Sequence, residues 1–162
     1  MKKTSRLFLV SGFVGVLTIL AALAMLPIPG HAQGERLVLS GDLAYFYGVG
    51  KPRNCILNSR YKHGEPVGFR MTAINPATGK RDRATKLVVH LNYFGKTIDL
   101  PMRDRQTEQQ PERDFFVVKW VVPDDAPLGI VRYTVTAVDP QGRTGEWMPY
   151  DVEASQLTIV GD

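Results

Sequence analysis

The chain has 162 residues, with 20 Lys and Arg against 16 Asp and Glu and a formal net charge of +4. Lys2, Lys3 and Arg6 precede every acidic residue, so positions 33–162 hold 17 basic and 16 acidic residues, a net +1. That near balance removes the main support for binding nucleic acid or polyanions in general, and a lone cysteine, Cys55, excludes an internal disulfide.

The basic start is followed by an apolar run over 7–26, which ends at Pro27 and Pro29. This is the layout of a secretory leader: the cations stay on the cytoplasmic side while the apolar helix enters the bilayer. Gly30 and Ala32 are small at the two positions a signal peptidase inspects, which places cleavage after Ala32 and leaves Gln33 as the first mature residue. The run of 20 residues is also about long enough to span a bilayer if it stays attached. Residues 1–32 therefore read as a signal peptide or, alternatively, as an uncleaved membrane anchor. Residues 33–162 are expected to be periplasmic or secreted, or to face the periplasm from that anchor. About 130 residues suffice for one domain with its own core.

Beyond the leader the apolar residues recur with period two, the signature of strands with one buried face, and no stretch shows helical spacing. Short strands are expected over 36–40 and 43–47. Next, Val67, Phe69, Met71 and Ala73 alternate with Gly68, Arg70 and Thr72, and Leu87, Val89 and Leu91 alternate with Val88 and His90. A short strand over 97–102 precedes a polar run over 103–113 without period, which reads as an exposed loop. Phe116, Val118, Trp120 and Val122 form the next inward set, and Val131, Tyr133, Val135 and Ala137 the one after it, in a strand over 130–138. Strands over 146–150 and 156–160 close the chain. Turn-forming clusters at 75–79, 123–129 and 139–142 separate these elements, and the basic residues Lys80, Arg81 and Arg83 beside Lys86 read as a solvated hairpin end.

The segment VPDDAPLGIVRYTVTAVDPQGRTGEW, residues 122–147, places a Pro/Asp-rich loop and a glycine before a Y-x-V-x-A-x-D strand and a Gly-containing hairpin. It resembles the late strands of secreted bacterial immunoglobulin-like and fibronectin-III-like domains. The segment EPVGFRMTAINPATG, residues 65–79, is similar to the opening strand of such domains. The resemblance implies an all-β fold, a single immunoglobulin-like antiparallel β-sandwich of about seven to nine strands behind the N-terminal signal helix. It also gives Tyr133 the role of a corner tyrosine bonded to nearby backbone, and Trp120 that of the large core aromatic. The solitary Cys55 departs from antibody-type members and points to the disulfide-free branch.

The candidate functional stretch is YFYGVGKPRNCILNSRYKH, residues 45–63, an irregular segment of the kind that carries binding residues on a rigid scaffold. Tyr45, Phe46, Tyr47 and Tyr61 offer flat contact area, and Lys51, Arg53, Arg60 and Lys62 offer positive charge, next to Cys55 and His63. The alternative is that the tyrosines pack a sheet edge and the cations solvate it. A metal- or redox-handling site would use Cys55 and His63, with Met71 or Met102 as further soft ligands, although no spacing forces them together. His90, opposite in phase to Leu87, Val89 and Leu91, is expected on the outer face. Hydrolytic machinery is not assembled: no G-x-S-x-G or H-E-x-x-H is present, and Asp124 and Asp125 lie in a turn between prolines. The sequence thus reads as a non-catalytic binding or accessory module for another exported or envelope protein, without cofactor. A metal or redox protein is the first alternative. An envelope carbohydrate-binding module using Trp147, Tyr150 and Tyr47 is the second.

Overall fold

Along the chain the two-residue period is realised as strands. The computed structural model describes residues 36–93 and 95–161; the leader or anchor, its cleavage point and residues 1–32 lie outside the described residues. In chain order the strands are β1 (Val38–Tyr45), β2 (Arg60–Tyr61), β3 (Pro66–Asn75), β4 (Lys80–Arg81), β5 (Lys86–Tyr93) and β6 (Lys96–Pro101). They continue with β7 (Arg103–Asp104), β8 (Phe116–Val121), β9 (Gly129–Val138), β10 (Thr144–Trp147) and β11 (Leu157–Ile159). A 3-10 turn, Glu153–Ser155, precedes the last strand. Three of the eleven strands, β2, β4 and β7, have only two residues, so the strand number exceeds the sequence expectation through short edge pairings.

These strands form two sheets. One has the order β1-β3-β8-β7 with β4 hairpinned on β3; the other has the order β2-β11-β9-β5-β6 with β10 on β9. Every pairing is antiparallel except β2 with β11, which is parallel. The inward residues of β3, β5, β8 and β9 join a single apolar cluster, giving a sandwich-like all-β arrangement. Phe69 is fully buried, with its ring edge-on to Tyr133 at 5.1 Å, and Trp120 sits edge-on to Tyr93 at 5.7 Å. Such aromatic pairs add to the transfer of apolar area out of water.

Three local expectations change. The two short strands over 36–47 are one strand, β1, because Gly41 does not break it: a side chain there would run into Met71 and the Arg70 carbonyl, so glycine permits the close approach of β1 to β3. Second, the basic hairpin end is not simply solvated. The Arg81 side chain is 4% exposed, donates to Asp104 and to Asp114 (2.8 Å), and lies over the Phe116 ring at 4.2 Å. Arg83 adds Nε to Asp104 Oδ2 at 2.6 Å and Nη2 to the Gln106 carbonyl at 2.7 Å. Third, the polar run 103–113 is consequently a pinned segment that contains β7 rather than a free loop, since a buried guanidinium needs its acceptors held in place.

The turn after β9 is closed by Asp139, whose buried carboxylate accepts Gln141 N–H (3.0 Å), Arg143 N–H (2.8 Å) and Arg143 Nε (2.6 Å). Because Phe69 lies between both sheets, Phe69→Ala is expected to cost about 3–5 kcal/mol. Chemical denaturation followed by circular dichroism measures this, with β-sheet signal retained at low denaturant.

Candidate functional site

The residues after β1 form a hairpin that folds back on that strand. Tyr45 N–H donates to the Ile56 carbonyl (2.9 Å), Cys55 N–H to the Tyr45 carbonyl (2.7 Å) and Asn58 N–H to the Leu43 carbonyl (3.1 Å). At the tip, Asn54 Oδ1 accepts Gly48 N–H at 3.0 Å, and Gly48 and Gly50 supply positive φ. Arg53 (φ 61°) and Cys55 (φ 64°) adopt the left-handed region without being glycine. Strain of that sort persists only where surrounding contacts fix the conformation.

Those contacts converge on Glu65, whose side chain is 13% exposed. Its Oε1 accepts Tyr47 OH (2.8 Å) and Arg53 Nη2 (3.0 Å), and its Oε2 accepts Lys62 N–H (2.9 Å). Arg53 Nη2 also reaches Tyr47 OH at 2.7 Å, and its guanidinium lies 4.6 Å from the Tyr45 ring centroid and 5.1 Å from that of Tyr47. Tyr45 and Tyr47 stack at 5.3 Å. Burial disfavours a charged Glu65, but the Lys62 amide, the Tyr47 hydroxyl and Arg53 outweigh it and hold the carboxyl below its ordinary range.

The expected contact residues therefore divide. Tyr61 is fully buried, edge-on to Tyr45 at 5.1 Å, and cannot present its ring to a partner. It, and not Tyr133, has its hydroxyl on neighbouring backbone, donating to the Asn58 carbonyl at 3.0 Å. Burial raises the pKa of both phenols well above the ordinary tyrosine value. Tyr45 is buried, Tyr47 half-buried, and Arg53 is engaged within the hairpin. Arg60 is exposed and pairs with Glu153. Lys51 and Lys62 are exposed, and Cys55 is an exposed free thiol. His63 Nε2 donates to the Ala126 carbonyl at 2.8 Å, an attachment to the 123–127 turn. Beside Lys51 the hairpin offers apolar side chains to solvent: Val49 is 91% exposed, Leu57 61% and Ile56 55%.

The other side of the hairpin covers the outer face of the first sheet. Gly68 has no side chain there, and the Phe46 ring occupies the space a Cβ would take. Register places Arg70 of β3, Val117 of β8 and Arg103 of β7 side by side, with Lys119 opposite Gly68. Together with Arg105, Arg113, Phe115 and the hairpin residues Val49 and Cys55, they line a hollow of about 360 Å³. Arg70 is held by Asp42 through two bonds of 2.6 and 2.7 Å. Arg103, Arg105, Arg113 and Lys119 form no ion pair among the described residues. Val117, outward by phase yet 4% exposed, is buried beneath this covering.

On the second sheet's outer face, His90 bridges Asp99 Oδ1 (Nδ1, 2.7 Å) and Thr136 Oγ1 (Nε2, 2.8 Å). The connectivity is that of a hydroxyl, base and carboxylate relay. The strands β5 and β9 that carry His90 and Thr136 are paired on both sides, while Asp99 lies on the edge strand β6. Of the aromatics considered for sugar stacking, Tyr150 is 74% exposed, while Trp147 is half-buried against Tyr133 (5.9 Å) and Tyr47 is held by Glu65.

Comparison with protein-family models, with curated proteins and with solved structures found no match to this chain.

Glu65, Asp104 and Asp139 all have carboxyls held below their ordinary values of 4.5, 3.8 and 3.8. A depressed carboxyl contributes stability in full above its unfolded value and loses it as pH falls through the folded one. The melting temperature is therefore expected to fall steeply as pH drops below about 4.5. Glu65→Gln should remove part of that acid slope and cost about 1–3 kcal/mol at neutral pH; thermal melts across pH measure both. Cys55, being exposed, should react with a maleimide in the native protein as fast as after denaturation, read by intact mass.

Proposed function

We propose that this protein is an exported, non-catalytic binding module built on an immunoglobulin-like sandwich, which docks another exported or envelope protein through the hairpin at 46–57. Export is supported by the basic and apolar layout of residues 1–32. The immunoglobulin-like reading is supported by strand order: β1-β3-β8-β7 corresponds to an ABED sheet, and the β9-β5 pair with β10 and β11 to the facing CFG sheet.

The observation that carries the function is a hairpin fixed from within that exposes three large apolar side chains beside Lys51. Glu65, Arg53 and the stacked tyrosines order it, so little conformational entropy remains to be lost on docking. Val49, Ile56 and Leu57 then project apolar area that a folded monomer gains nothing by exposing. A partner of stated chemistry follows: a protein surface with an apolar depression, rimmed by acids facing Lys51 and Lys62.

The double variant Ile56→Ser, Leu57→Ser should keep the thermal transition within a few tenths of a kcal/mol of wild type, because both side chains already face water. Cross-linking and capture from the native envelope fraction should lose a stoichiometric partner in that variant. Capture unchanged by it overturns the hairpin as the docking element.

A further inference from the structure

The hollow beneath the hairpin does not depend on the partner reading, and its charge calls for an explanation of its own. Four cations, Arg103, Arg105, Arg113 and Lys119, share it without a counter-charge among the described residues. Two of the acids next to them in sequence are engaged elsewhere. Asp104, between Arg103 and Arg105, turns to Arg81 and Arg83 because successive strand residues point to opposite sides. Asp114, beside Arg113, is likewise taken by Arg81. Alternation at β7 thus separates Arg103 and Arg105 from Asp104, and Arg81 holds both the Asp104 and Asp114 carboxylates away from the four cations. A chain whose positions 33–162 carry a net +1 overall has here a patch of one sign. Like charges gathered at a concave surface repel one another and raise the local concentration of anions.

We propose that this hollow binds an organic phosphate, with the phosphoryl group on Arg103, Arg105, Arg113 and Lys119 and an apolar body on Phe46 and Phe115. Three arginines favour phosphate, since the guanidinium fork matches its oxygens in two-pronged contacts. A phosphate monoester carries close to two negative charges at neutral pH, against one for a carboxylate, and so answers more of the cluster. The floor is apolar: Val117 is buried there, the Phe46 ring lies flat over Gly68, and Phe115 packs beside the Arg70 guanidinium at 5.9 Å. A volume of about 360 Å³ accommodates a headgroup or a small soluble phosphate and its immediate substituent. The walls come from β3, β8 and the pinned segment at β7, so the site is formed before the ligand arrives.

Calorimetric titration of the purified protein with phenyl phosphate tests this. Binding of one equivalent is expected, weakening as salt rises and falling roughly tenfold in R105S and in R113S. R105K and R113K keep the charge without the two-pronged contact and should lose less. Neither arginine makes an ion pair, so the thermal transitions of all four variants should match wild type. Flotation with phosphatidylcholine vesicles, with and without phosphatidate, identifies the source. Phosphatidate-dependent binding displaced by phenyl phosphate upholds the proposal with a lipid ligand, and phenyl phosphate binding without vesicle binding upholds it with a soluble one. No heat at millimolar phenyl phosphate, binding insensitive to the arginine variants, or binding of benzoate or an oligoglutamate peptide at least as tight, overturns it.

Discussion

One carboxylate holds the 46–57 hairpin of this molecule in shape. Glu65 stands at the entrance to β3, so its position is set by the sheet, and it collects the Lys62 amide, the Tyr47 hydroxyl and the Arg53 guanidinium. Through Arg53 it clamps the stacked Tyr45 and Tyr47 rings, and through them it reaches Tyr61 in the core. The left-handed Arg53 and Cys55 are tolerable because this arrangement fixes them. A charged group 13% exposed would be a liability alone; with three donors on its two oxygens it becomes an anchor.

The sandwich-like fold was legible where one face of a strand is buried and the other is wet. In β3, β5 and β9 the inward residues are those the two-residue period selects, down to Ala73 and Ala137. The period misleads where both faces are covered. Val117 belongs to the outward phase of β8 yet is buried, because the hairpin and its Phe46 ring lie over that side. Gly41 misleads in the opposite way, since in the sequence a glycine next to an aspartate reads as a turn, whereas against Met71 it is a point of close packing.

The functional stretch was legible as an irregular segment rich in tyrosine and cations, but the roles within it were not. Tyr61 looks like contact surface until its parallel pairing with β11 buries it, and Arg53 looks like free charge until Glu65 and Tyr47 bind it on one side. The basic hollow was invisible because its residues come from three distant segments, and because overall charge balance conceals a sorting made by alternation at β7 and by the Arg81 ion pairs. A clue lies in the run Arg103, Asp104, Arg105, where opposite charges alternate with the period of a strand.

The parallel pairing of β2 with β11 has a consequence for the order of events in the life of the chain. Thr158 N–H donates to the Ser59 carbonyl at 2.8 Å and Val160 N–H to the Tyr61 carbonyl at 2.9 Å, so the base of the hairpin is sealed by a strand about a hundred residues further along the chain. Contacts of such sequence separation form late, since loop closure must precede any reward from them. Until β11 pairs, Tyr61 has no lid and the base of the hairpin has no edge to rest on. Ordering of the hairpin's base therefore waits for β11, and the remaining strands can be in place while the 46–57 hairpin is still unsupported.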